Sequence, residues 1–91
     1  MTEAQVGGWS DEKQISPKVQ ELFDKLFGSI TGIKYELLGY YEQIVEGVNY
    51  SLSLQTTISY PDAKPHQTWL YFHVGLDDKI QNVRFESQPP K

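Results

Sequence analysis

The sequence predicts an α+β fold in which a four-stranded antiparallel sheet wraps around one long α-helix. Two patterns carry this prediction. Apolar residues recur every three or four positions early in the chain, and apolar and polar residues alternate strictly further on. A helix with one apolar stripe and a sheet with one apolar face must cover each other. The 91 residues suffice for one core, so we expect a single domain over residues 1–91.

The predicted helix covers residues 16–31. Ser16 followed by Pro17 is typical of a helix start, because the serine hydroxyl accepts a hydrogen bond from a free N–H group and proline suits the first helical position. The apolar stripe consists of Val19, Leu22, Phe23, Leu26, Phe27 and Ile30. Gly32 is expected to stop the helix. Residues 1–15 are polar, show no sustained period and are interpreted as a flexible N-terminal arm.

The first two predicted strands follow the helix directly. The first begins at Ile33, and Gly39 within it indicates a bulge or a bend. The second has the clearest pattern in the chain, with the apolar residues Val48, Tyr50, Leu52, Leu54, Ile58 and Tyr60 all at even positions. Alternation of this length predicts a long antiparallel strand with one buried face.

Two further strands complete the predicted sheet. Proline, aspartate and lysine at residues 61–65 predict a turn, because proline cannot join a strand ladder. The third strand is predicted around Thr68–Val74. A second turn at residues 75–79 leads to the last strand, Ile80–Ser87, in which Val83 and Phe85 are expected to face inward.

Composition excludes several classes of function. The net charge is -4 and the 8 Lys and Arg residues are scattered, so no basic stripe is available to bind phosphates and we expect no nucleic-acid partner. The chain has no cysteine, which suits a reducing compartment. It shows no signal-peptide pattern at its start and no apolar stretch of membrane-spanning length, so we expect a cytoplasmic protein without a membrane partner.

Candidate chemical sites in the sequence are weak. His66 and His73 are seven residues apart on one predicted strand, so they face opposite sides of the sheet and do not predict a metal site. The pair Asp77-Asp78 is typical of an exposed turn. No nucleophile lies in a catalytic context, and no glycine loop for phosphate is present. We therefore expect neither an enzyme nor a cofactor.

Several motifs together resemble the cystatin family. The pair Gly7-Gly8 lies upstream of the single helix, the segment Gln43-Ile44-Val45-Glu46-Gly47 lies at an expected hairpin tip, and Gly47-Val48-Asn49-Tyr50 continues the similarity. The resemblance covers nearly the whole chain. The Gln-x-Val-x-Gly motif is short, and its place between two strands gives it weight. The absence of cysteines and of a signal peptide resembles the intracellular stefin branch of that family.

The resemblance implies a reversible, tight-binding inhibitor of papain-like cysteine proteases of the papain or cathepsin type. In cystatins, an N-terminal arm and two hairpins form a wedge that enters the active-site cleft of the protease. The resemblance assigns protease contact to Gly7, Gly8, Gln43, Ile44, Val45, Glu46, Gly47, Gly75, Leu76 and Asp77. The glycine pair then lets Gln5 and Val6 reach the substrate-binding subsites. A similar implication concerns association: a monomer that slowly forms a domain-swapped dimer through the first hairpin, as stefins do.

Four questions stay open at this level. A cystatin-like domain that binds another protein through its loops or sheet face, without inhibiting proteases, fits the same pattern. Glu46 lies where many cystatins have a small residue, and its carboxylate either loses hydration on docking or pairs with the catalytic histidine. Trp9 either anchors the arm or contacts the protease. Trp69, Tyr71 and His73, on the outer sheet face, form a partner surface or cover one another.

Overall fold

The computed structural model describes residues 8–28, 33–58 and 64–90. Its elements are the helix α1 (Pro17–Phe27) and the strands β1 (Ile33–Val45), β2 (Gly47–Ile58), β3 (His66–Val74) and β4 (Ile80–Glu86). The strands form one sheet in the order β1-β2-β3-β4, and each neighbouring pair is antiparallel. The predicted α+β class, with one helix and a four-stranded antiparallel sheet among the described residues, is confirmed.

The helix begins where the sequence predicts. The N–H of Val19 donates to the Oγ of Ser16 over 3.3 Å, and Pro17 occupies the first turn, where its missing N–H costs nothing. The regular helix ends at Phe27 and is followed by Gly28 at the C-cap, and residues 29–31 of the predicted helix, among them Ile30, lie outside the described residues.

The core lies between α1 and one face of the sheet. Its buried members are Val19, Leu22, Tyr40, Tyr50, Leu52, Leu54, Leu70, Phe72 and Val74. The even positions of β2 that the alternation assigned to the core are buried from Tyr50 to Leu54, while Tyr60 and the side chain of Ile58 lie outside the described residues. Burial of the helix stripe against these leucines holds α1 on the sheet.

Two irregularities modify the sheet. The pairing of β1 with β2 shifts between Leu37 and Gly39, which is the bulge that the glycine predicts. A second shift lies in β4, where Asn82 has a φ of 57°, a left-handed conformation that asparagine tolerates. Phe85 faces inward as expected, since it pairs with Leu70 and packs against Phe27 and Tyr35, but it stays half-exposed because β4 is an edge strand. Val83, next to the bulge, is half-exposed as well.

Candidate functional site

The first hairpin tip is a very tight turn between β1 and β2. Val45 pairs with Gly47, so that Glu46 alone separates the two strands. Gly47 has a φ of 96°, and a Cβ added there would lie 2.5 Å from the carbonyl oxygen of Val74. Glycine is therefore required here both by the backbone conformation and by the close approach of β3.

The second hairpin tip joins β3 to β4. Gly75 donates its N–H to the carbonyl of Lys79 over 3.1 Å, and Asp78 donates its N–H to the carbonyl of Gly75 over 3.0 Å. The carboxylate of Asp77 accepts from the N–H of Lys79 over 3.2 Å, and Asp78 has a φ of 65°. Asp77, assigned by resemblance to protease contact, thus orders its own turn, as aspartate does in many turns. Leu76 projects from this tip.

The two tips lie side by side at one end of the sheet. Val48, near the start of β2, pairs with Val74 at the end of β3, and a Cβ on Gly47 would lie 3.1 Å from the Cα of Gly75. We call the end of the sheet formed by residues 44–47 and 75–78 the hairpin edge. The structure thus brings the predicted contact residues 44–47 and 75–77 together at this edge, and Asp77 in addition orders its own turn.

The hairpin edge exposes apolar side chains. Ile44 is 54% exposed, Val45 37% and Leu76 79%. They lie next to the exposed carboxylates of Glu46 and Asp77. Single exposed apolar residues are ordinary on a protein surface, but these three lie on two neighbouring tight turns at one end of the sheet, beside two acidic residues.

A row of hydrogen bonds lies beneath the hairpin edge on the outer face of the sheet. The Nδ2 of Asn49 donates to the Oε1 of Gln43 over 2.8 Å, and the Oδ1 of Asn49 faces the Nδ1 of His73 at 2.7 Å. Since that oxygen only accepts, the Nδ1 of His73 is the donor in this amide orientation. The three side chains connect β1, β2 and β3 directly below both tips.

Sequence reasoning predicted only part of this row. Gln43 was assigned to protease contact, and the structure shows that its side chain also forms a hydrogen bond across the base of the loop. Asn49 and His73 were not recognised as its partners. The signal was the register: Gln43 pairs with Asn49 and Asn49 with His73, so the hairpin lengths alone align them on one face.

The N-terminal segment also reaches this end of the sheet. Trp9 bridges to Gln43 and Lys13 to Tyr40, both antiparallel, so the chain runs from Lys13 back towards Gly8 in the direction of the first hairpin tip. Part of the segment interpreted as a flexible arm is therefore paired with β1. Gly7, with Gln5 and Val6, lies outside the described residues.

The outer face beside the hairpin edge contains a cavity of about 310 Å³, lined mostly by polar and aromatic side chains, among them Trp9, Tyr71, His73 and Arg84. Burial raises the pKa of the Tyr71 phenol. At the arm, the hydrogen bond to the carboxylate of Glu42 raises the pKa of Lys13. Both groups therefore keep their ordinary protonation state at neutral pH.

The described part of the chain places no three His, Asp or Glu side chains together as a metal site. His66 and His73 lie at opposite ends of β3. Among the same residues, no helix has the length and apolar character needed to cross a membrane.

The arrangement defines an α+β protein with a rigid, exposed apolar edge built from two hairpins, a geometry suited to contact with another macromolecule. Comparison with protein-family models, with curated proteins and with solved structures found no match to this chain.

Proposed function

We propose that the protein is a reversible, tight-binding inhibitor of papain-like cysteine proteases, with a cystatin-like fold of the stefin type. The observation that carries the proposal is the hairpin edge, where two neighbouring ordered turns expose Ile44, Val45 and Leu76. By the same resemblance we place the protein in the cytoplasm and expect it to act without a cofactor.

The energetics of docking favour such an edge. Each square ångström of apolar surface removed from water contributes roughly 25 cal/mol, so three exposed side chains supply a substantial part of a binding free energy. Association also costs the entropy of any loop that must be ordered. Here the loops are ordered beforehand, because Gly47 is packed against Val74 and the amide of Asn49 holds Gln43.

The turn geometry also accounts for resistance to cleavage. Val45 and Gly47 are paired across the tip, so the peptide bonds of Glu46 lie in a tight turn. A protease binds its substrate as an extended segment beside the cleft, which is a form of strand addition. The tip offers apolar surface to the cleft without offering an extended peptide to the catalytic cysteine.

The proposal is tested by titrating papain and a cathepsin-type protease with the protein and measuring residual activity. Val45→Asp should weaken inhibition about a hundredfold, because an uncompensated carboxylate loses several kcal/mol when it is desolvated. Leu38→Asp is the matched control: Leu38 is 42% exposed, close to the 37% of Val45, but lies at the bulge of β1 away from the hairpin edge. This variant should inhibit like the parent.

Two results would contradict the proposal. Equal weakening by Val45→Asp and Leu38→Asp would mean that the hairpin edge is not the contact surface. A parent protein that leaves both proteases fully active at micromolar concentration would favour the other reading, in which a cystatin-like domain binds a different protein partner.

A further inference from the structure

We propose that Trp9 is a positioning residue that anchors the N-terminal arm on the outer face of the sheet and directs the residues before it into the protease cleft. This inference rests on the proposed function. It assigns to Trp9 the first of the two roles that the sequence leaves open, anchoring rather than protease contact.

The backbone around Trp9 is tied to β1. The N–H of Ser10 donates to the carbonyl of Glu42 over 2.8 Å, and the N–H of Glu42 donates to the Oγ of Ser10 over 3.1 Å. Lys13 and Tyr40 exchange backbone hydrogen bonds of 2.7 and 3.1 Å, and the ammonium of Lys13 pairs with the carboxylate of Glu42. The arm is thus held in register with β1 as far as Trp9, which bridges to Gln43.

The ring of Trp9 rests on a fixed aromatic platform. It packs edge-on against Tyr71, with ring centroids 5.8 Å apart and an angle of 85° between the planes. Tyr71 is itself buried, its hydroxyl donates to the carbonyl of Gln88 over 2.9 Å, and the guanidinium of Arg84 lies 4.6 Å from its ring centroid. Edge-to-face aromatic pairs of this kind add to the stabilisation from burial alone.

The direction of the Trp9 side chain separates anchoring from protease contact. The backbone of Trp9 bridges to Gln43 next to the hairpin edge, but its ring packs against Tyr71, which lies three residues before Val74 and thus roughly 10 Å along β3 from that edge. A ring in this position anchors the arm on the outer face of the sheet and does not itself contact the protease cleft. Gly8 has no side chain with which to hold the arm, so Trp9 is the first residue after the glycine pair that can do so.

The first measurement is the inhibition constant of Trp9→Ala against papain. We expect this constant to rise roughly tenfold, mainly through faster dissociation. The entropy cost of ordering about one backbone residue, which the anchored arm has already met in the free protein, then opposes binding. Trp9→Phe keeps an edge-on ring and should retain most of the inhibition. Amide exchange of Ser10 in the free protein should be faster in Trp9→Ala, since the arm that carries this N–H is then held less firmly against its acceptor, the carbonyl of Glu42 in β1.

A double-mutant cycle with Val6→Asp distinguishes positioning from a general loss of stability. If Trp9 acts by directing the arm, the double variant should inhibit no worse than Val6→Asp alone. Independent, additive losses would overturn the inference, as would unchanged inhibition by Trp9→Ala. If Trp9→Ala does not fold, Trp9→Leu takes its place in the same cycle.

The outcomes also separate this inference from the proposed function. If the parent protein inhibits papain and the losses in the double-mutant cycle are additive, Trp9 has no positioning role and the inhibitor proposal still stands. If the parent protein does not inhibit papain, both the inhibitor proposal and the role of Trp9 are wrong.

Discussion

Apolar side chains occupy two opposite environments on the same sheet. Leu52 and Leu54, at the centre of β2, are fully buried in the core that α1 completes. Val45 and Leu76, at the hairpin edge, remain exposed although their turns are ordered. Burial of the first pair stabilises the fold in full, whereas Val45 at 37% exposure and Leu76 at 79% leave apolar surface in water that folding does not use. Apolar side chains in this chain therefore have two roles: those at the centre of β2 stabilise the fold, and those at the hairpin edge, on our proposal, bind the protease.

The largest expected effect concerns the core side of this comparison. Leu52→Ala should lower the free energy of unfolding by about 2–5 kcal/mol, because the fully buried side chain leaves a cavity. Leu76→Ala should change it by less than about 0.5 kcal/mol, because the side chain is exposed, yet it should weaken papain inhibition. Urea denaturation of both variants measures the contrast. Similar destabilisation by the two changes would end the distinction between the regions.

A smaller effect is expected where the two hairpins meet. Gly47→Ala should lower the free energy of unfolding by about 1–3 kcal/mol, because alanine is strained at positive φ and its Cβ would meet the backbone oxygen of Val74. It should also weaken inhibition, since the tips must move apart. Gly75→Ala is the milder comparison: its Cβ meets the carboxylate of Asp77, a side-chain end that can move at the cost of its hydrogen bond from the N–H of Lys79, so this variant should lose less stability than Gly47→Ala. If the two variants unfold at the same urea concentration, the packing of Gly47 does not hold the edge.

The same contrast explains what the sequence could predict. The helix and the core face of β2 follow from local patterns, the Ser16-Pro17 start and the alternation around Leu52, so both were predictable. The prediction of a single buried face was wrong for this central strand, because Ser51 and Ser53 on its other face are buried as well. The pairing of Trp9 with β1 and the hydrogen bond between His73 and Asn49 depend on strand register across the sheet. Local patterns do not encode that register, which is why these contacts were missed.

The third prediction concerns the charge at the first tip. Glu46 is exposed, so its carboxylate is hydrated in the free protein and would lose water on docking. Glu46→Ala should therefore tighten papain inhibition about tenfold, equivalent to about 1.4 kcal/mol. Glu36→Ala removes the same charge from an exposed position in β1 and should leave inhibition unchanged.

Salt distinguishes the alternatives for Glu46. If its carboxylate pairs with a cationic histidine of the protease, Glu46→Ala should weaken inhibition, and added salt should weaken the parent more than the variant. Equal inhibition constants for parent and variant at low and high salt would show that Glu46 stays in water, and the first hairpin would then not enter the cleft.

The smallest effect is expected at the start of the helix. Ser16→Ala should lower the free energy of unfolding by about 1 kcal/mol, because the N–H of Val19 loses its side-chain acceptor. Ser16→Thr supplies the same hydroxyl and should restore most of the stability. Inhibition by the folded Ser16→Ala protein should equal that of the parent, and a loss of inhibition would place α1 within the contact surface.

The most direct test of the central claim is amide hydrogen exchange of the protein alone and in the presence of papain. The account predicts slower exchange at the hairpin edge, residues 44–47 and 75–78, because both tips enter a cleft that excludes water. Exchange around the bulge at residues 36–39 should stay the same. Protection confined to that bulge or to α1, or no protection anywhere, would contradict the claim that the hairpin edge binds the protease.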